Sequence, residues 1–114
     1  MRKMKRQPVH PGKIIKKDYL KPLSITIKDM AERLGISRKT LSKIINERAS
    51  VTPDMALRLS RAFDTTPDFW LNLQKNYDLW HAENASKEWQ NIKPIPPHLL
   101  HSHSDINSEP SAAL

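Results

Sequence analysis

With 114 residues the chain has room for one small domain, and with no cysteine it has neither a disulfide framework nor a thiolate metal site, which suits a reducing compartment. No apolar run approaches the roughly 18 residues a membrane span requires, and the basic start MRKMKRQ leads into VHPGKIIKKDYL rather than an apolar stretch, so neither membrane insertion nor export is expected. The net charge of +7 is unevenly divided, with 14 Lys/Arg against 4 Asp/Glu in residues 1–50 and 5 against 8 in residues 51–114, which points to a polyanion partner on one side.

Residues 1–9 read as a basic tail. A first helix opens at His10-Pro11, because proline at the first helical position loses only an N–H that has no partner there. Ile14, Ile15, Tyr19 and Leu20 form its apolar stripe, and Pro22 is expected to stop it. Thr26 caps a second helix over about Ile27–Leu34, with Ile27, Met30, Ala31 and Leu34 inward and Gly35 just past its end. Ser37 caps a third helix to about Asn46, with Leu41, Ile44 and Ile45 inward. Thr52-Pro53-Asp54 and Thr66-Pro67-Asp68 repeat one start signal: a cap, a proline, and an acid beside the positive end of the helix dipole. The fourth helix should bury Met55, Ala56, Leu59, Ala62 and Phe63. The fifth carries Phe69, Trp70, Leu73, Tyr77 and Trp80 and fades near Asn84. Only two glycines and no period-2 apolar runs argue against a loop-rich β fold. The expectation is an all-α domain over residues 10–85, five helices, followed by a Pro/His/Ser-biased, loosely ordered tail over 86–114 whose Trp89 and Ile92 tack its first part to the core.

Two short helices joined at Gly35 form a helix-turn-helix. Small Ala31 lets the helices approach, Ile36 fills the space under the turn, and Leu41 and Ile44 anchor the second helix from beneath. That leaves Ser37, Arg38, Lys39, Ser42 and Lys43 outside, at the helix end that enters a major groove in this motif. Arg and Lys fit guanine O6 and N7, and Ser reads either edge less selectively. A plain helical hairpin with a solvated basic face is the competing reading. The Ala-Gly-Leu-Ile spacing and the strongly basic first half favour DNA.

The stretch HPGKIIKKDYLKPLSITIKDMAERLGISRKTLSKIINERASVTPDMALRLSRAFDTTPDFWLNLQKNYDLW, His10 to Trp80, resembles the HigA-type antitoxins of the phage-repressor-like (Xre) helix-turn-helix superfamily. His10-Pro11-Gly12, Gly35-Ile36-Ser37-Arg38 and Phe69-Trp70-Leu71-Asn72-Leu73-Gln74 carry the resemblance. It implies a cytoplasmic, nucleoid-associated bacterial protein that dimerises, represses its own operon on double-stranded operator DNA and neutralises a small mRNA-cleaving toxin. It places base reading on Ser37, Arg38, Lys39 and Lys43, and phosphate contacts on Lys28, Thr40, Ser42, Asn46 and Arg48. Two departures stand out. Ile27 occupies the position where phage repressors often carry a phosphate-anchoring Gln, and Glu47 stands where the family often has Gly, which predicts a looser turn after the third helix.

Three tryptophans and two tyrosines are many for so small a chain, and Phe69, Trp70, Leu73, Tyr77 and Trp80 are expected to form a dimer interface. His98, His101 and His103 lack a carboxylate or thiol that would complete a metal site. No nucleophile-base set or phosphate loop appears, so no enzyme and no cofactor are expected; His10 should pack or cap rather than ionise usefully. The alternatives to an antitoxin are an operon repressor without a toxin and a protein-inhibitor module that rarely touches DNA.

Overall fold

Every expected N-cap is made. In the computed structural model, which describes residues 6–100, the hydroxyls of Thr26, Ser37, Thr52 and Thr66 each accept the backbone N–H three residues on, at 3.1, 3.0, 3.2 and 3.2 Å. Each satisfies one orphan donor of a helix start, typically for about 1 kcal/mol. They open α2 (Ile27–Leu34), α3 (Arg38–Ile45), α4 (Pro53–Phe63) and α5 (Pro67–Ala85). The described residues are all-helical, with no strand.

The first helix, α1, is one continuous run in three parts: α-helical Pro11–Ile14, π-helical Ile15–Leu20 and α-helical Lys21–Leu23. It corrects the expectation that Pro22 stops the helix. Proline has no N–H to give and its ring crowds the carbonyl four residues back. Here the preceding turn is widened, and the Lys21 N–H reaches the Lys16 carbonyl five residues back. The chain leaves α1 only at Ser24, whose φ of 54° is left-handed, and the Ile25 N–H closes the end on the Leu20 carbonyl at 3.0 Å.

The core takes Ile15 and Leu20 from α1, Met30, Ala31 and Leu34 from α2, Leu41, Ile44 and Ile45 from α3, Val51, then Met55, Ala56 and Leu59 from α4, and Trp70 from α5. Each fully buried large aliphatic side chain contributes about 1.5–3 kcal/mol relative to an exposed one. Tyr19 stacks on Phe63 with ring centroids 3.8 Å apart, and both lean on Trp70, whose indole N–H donates to Thr65 Oγ1 at 2.7 Å. Ala62, expected inside, is exposed, and Ile27 is only half-buried. A polar group is buried instead: Gln74 Oε1 accepts the Val51 N–H at 2.9 Å, and its Nε2 donates to Asp78 at 3.0 Å. This tie holds α5 against the α3–α4 loop.

After α5 a 3-10 turn, Glu88–Asn91, makes only local hydrogen bonds. Trp89 and Ile92 do not tack this segment to the core, being 43% and 77% exposed. The expectations for residues 1–5 and 101–114 lie outside the described residues.

Candidate nucleic-acid interface

The turn between α2 and α3 is fastened from two directions. Gly35 has φ 72°, the left-handed conformation that closes a helix without a Cβ penalty, and the Ile36 N–H returns to the Ala31 carbonyl at 3.0 Å. From α4, Arg58 Nη1 donates to the carbonyls of Leu34 at 2.8 Å and Gly35 at 3.1 Å, and its Nε pairs with Asp54 at 2.8 Å. A cation thus sits on the negative end of α2. A Cβ at position 35 would stand 2.9 Å from that guanidinium nitrogen, the far end of a flexible side chain that can shift, so it is the left-handed backbone that calls for glycine.

The turn delivers α3 with its back buried and its front open. Leu41, Ile44 and Ile45 are buried, while Arg38, Lys39, Thr40 and Lys43 are exposed. Lys28 on the first turn of α2 and Arg48 beyond α3 are exposed too. Among the described residues, none of Lys28, Arg38, Lys39, Lys43 or Arg48 has an ion pair. Exposed cations without ion pairs produce a field that attracts a polyanion.

The expected polar contacts divide more finely. Ser37 is exposed, yet its hydroxyl accepts the Thr40 N–H and donates to Thr40 Oγ1 at 2.8 Å, so it works first as a cap. Half-buried Ser42 accepts from Asn46 Nδ2 at 3.3 Å. Arg38, Lys39 and Lys43 are therefore the side chains free to reach outward.

The looser turn expected at Glu47 is not found. Glu47 takes φ 62°, its N–H bonds the Ile44 carbonyl at 3.0 Å, and the Arg48 N–H bonds the Lys43 carbonyl at 2.8 Å. The turn is as tight as a glycine would make it, with a β-carbon in a conformation that costs about 1–2 kcal/mol. Its carboxylate accepts from the Tyr77 hydroxyl at 3.4 Å.

The other end of α3 rests on α1. His10 is buried and caps α1, its Nδ1 accepting the Gly12 N–H at 2.9 Å, with the Tyr77 ring set edge-on at 4.8 Å. Burial holds its pKa below the usual histidine value, against the opposing influence of Glu47, a hydrogen bond with the Ala49 backbone and Asp78. A Cβ on Gly12 would lie 1.9 Å from the Ile44 carbonyl oxygen. His-Pro-Gly is thus a cap, a helix start and a point of backbone contact that seats α1 against α3. Neither the contact at Gly12 nor the ties made by Arg58 and Gln74 follow from the sequence. Only Arg58 left a signal there, standing four residues after Asp54 at ion-pair spacing.

The expected dimer set is divided. Trp70 is core, with none of its surface exposed, and is corrected out of any interface. Leu73 is half-buried against the core, and Tyr77 and Trp80 are half-buried, packing on His10 and His81. Phe69 is 41% exposed. On the other side of α5, Leu71, Lys75, Asp78, Leu79 and Ala82 border an apolar groove of about 480 Å³ that Val51 and Gln74 complete. Of the tail histidines only His98 lies among the described residues. Among those residues no helix is long and apolar enough to cross a membrane.

The helix-turn-helix family matches residues 16–70. An uncharacterized HTH-type transcriptional regulator of Haemophilus influenzae is 42% identical over 100 residues, spanning 88% of this chain and 92% of that protein. Antitoxin HigA-1 of Vibrio cholerae is 42% identical over 96 residues, spanning 83% and 90%. Among solved structures, the Pseudomonas aeruginosa antitoxin HigA with the higBA promoter is similar at a TM-score of 0.69 and 36% identity, over 78% of this chain and 99% of that one.

Proposed function

Because this chain belongs to the HigA-type antitoxins of the phage-repressor-like helix-turn-helix superfamily, we propose that it is a cytoplasmic antitoxin that binds operator DNA and represses its own operon. The observation that carries the DNA half is the front of α3, where Arg38, Lys39 and Lys43 stand exposed and unpaired among the described residues while Leu41 and Ile44 are locked beneath. Arg38 and Lys39 reach base edges from the first turn of the helix, and Lys43 follows one turn later. Lys28, Asn46 and Arg48 hold phosphates on either side, and Thr40 and Ser42 add hydroxyls.

Binding is by a homodimer, which sets two α3 helices one DNA turn apart, about 34 Å. The groove face of α5 suits this pairing. Leu71, Leu79 and Ala82 supply apolar area, and in an antiparallel arrangement Lys75 of one copy meets Asp78 of the other, as a self-complementary two-fold interface requires. Phe69 and Trp80 lie on the opposite side of α5. Leu79→Glu should shift sedimentation toward monomer with helicity retained; unchanged dimer would move the interface to Phe69 and Trp80.

A toxin partner is supported by the similarity to Antitoxin HigA-1 and to the HigA structure, and the family resemblance makes it a small mRNA-cleaving enzyme. No catalytic role falls to this chain. A second reading, transcription regulation without a toxin, is favoured by the equally similar Haemophilus influenzae protein, which is named only as a regulator. Co-expression with the small reading frame beside this gene, followed by co-purification and growth rescue, separates them. A co-eluting complex that restores growth supports the antitoxin, and no association at micromolar concentration leaves the regulator.

A further inference from the structure

The π-helical turn in α1 has a consequence for charge. In a regular α-helix, residues five apart point about 140° away from each other. In Ile15–Leu20 the helix is wound i to i+5, and the Lys21 N–H bonds the Lys16 carbonyl. Those two residues therefore stack on one side of α1. Both border the same hollow of about 290 Å³, between α1, the start of α2 and the end of α3. Asn46 borders it as well, and buried Leu20 and Ile45 with half-buried Ile27 form its floor. Among the described residues neither lysine has an ion-pair partner. Single-turn π segments are rare and concentrate at functional sites, since they interrupt the regular ladder.

We infer that Lys16 and Lys21 form a clamp for one sugar-phosphate unit of the DNA backbone, placed by the π-helical turn that precedes Pro22. Two ammonium groups on one side of a hollow with an apolar floor match that ligand. The phosphate takes the charges, and the carbon face of the deoxyribose lies on Ile27 and Ile45. Asn46, beside the recognition helix, makes the hollow continuous with the face that carries Arg38 and Lys43. The clamp rests on the operator-binding reading and extends the footprint from α3 onto α1. It carries no sequence information, because a phosphate is the same under every base.

The test is a salt titration of the full chain on two duplexes of equal length, one from the promoter upstream of its own gene and one scrambled. Lys16→Ala/Lys21→Ala should lower affinity on both duplexes by the same factor and reduce the slope of log K against log salt by about one unit, near 0.9 for the one phosphate charge no longer neutralised. Lys17→Ala/Arg61→Ala removes the same charge from exposed positions outside the hollow and should leave the slope within half a unit. Lys16→Arg/Lys21→Arg should restore it. All three pairs should melt with wild type, because the four side chains are exposed. Equal slope losses in the two alanine pairs would reduce the clamp to diffuse charge and overturn it. So would an unchanged slope in Lys16→Ala/Lys21→Ala, or a loss confined to the promoter duplex. A wild-type chain that binds neither duplex would instead remove the operator-binding reading itself.

Discussion

The recognition helix α3 and the last helix α5 sort their residues by different rules. In α3 the three apolar side chains are all buried and the basic ones all exposed. In α5 a tryptophan and a glutamine are buried while Phe69 and Leu79 are left at 41% and 39% exposure. A helix with one inward stripe is organised by the hydrophobic effect alone. One that is apolar on several sides has to be organised by something more specific. In α5 that is the fit of Trp70 between Tyr19 and Phe63 and the Gln74 tie to Val51. The apolar side chains it leaves outside are the ones the proposed dimer would cover.

If α5 divides this way, Trp70→Ala should be the most damaging change in the molecule. Emptying that site should cost about 3–5 kcal/mol, read as a collapse of the urea midpoint. A Trp70→Ala chain of normal stability that merely fails to dimerise would restore Trp70 to the interface. Gly12→Ala probes how α3 is seated. With a carbonyl 1.9 Å from the new carbon, α1 and α3 must separate, and a loss of about 3 kcal/mol is expected. A loss under about 1 kcal/mol would mean that the seat gives easily.

Glu47→Gly is a smaller change of opposite sign. It relieves a left-handed β-carbon and should raise stability by about 0.5–1 kcal/mol, after the greater freedom that glycine brings to the unfolded chain. It should also strengthen DNA binding, as an anionic group leaves the neighbourhood of Arg48. The smallest effect is set by pH. Burial lowers the His10 pKa in the folded chain, so the unfolded chain takes up the proton first. The stability held by neutral His10 is complete above the ordinary histidine value of 6.5 and is lost as pH falls from there toward the lowered folded value. His10→Asn keeps a capping side chain without titrating. The stability gap between wild type and this variant should narrow from pH 7.5 to 5.5, and a constant gap would remove His10 from the pH response.

The helix starts could be read in the sequence because caps are local. A hydroxyl three residues ahead of an N–H needs no information from the rest of the chain, and Thr26, Ser37, Thr52 and Thr66 each declare themselves. The outward face of α3 was legible for a related reason, since eight residues with three apolar positions leave only one way to pack. What was not legible depends on residues far apart. Arg58 closes the α2–α3 turn from 23 or 24 residues away, and Gln74 reaches Val51 across 23. Gly12 is required by the Ile44 carbonyl, a neighbour that only the fold supplies. Pro22 looked like a stop because a helix that widens ahead of a proline is uncommon. Trp70 looked like an interface residue because composition counts aromatics without saying which of them the core takes.

On the proposed reading, the break at Gly35 presents the front of α3 to DNA bases. Arg38→Ala and Arg48→Ala, titrated on promoter and scrambled duplexes at two salt concentrations, test it most directly. Arg38→Ala should cost about 1–3 kcal/mol on the promoter duplex, with relaxed preference at one position per half-site and little change on the scrambled one. Arg48→Ala should weaken both duplexes alike and flatten the salt slope by about one unit. Both variants should melt with wild type, because both side chains are exposed. Equal losses on both duplexes for Arg38→Ala would make it a backbone contact and pass base reading to Lys39 and Lys43. A correctly folded Arg38→Ala that binds both duplexes like wild type would take α3 out of the groove and contradict the account.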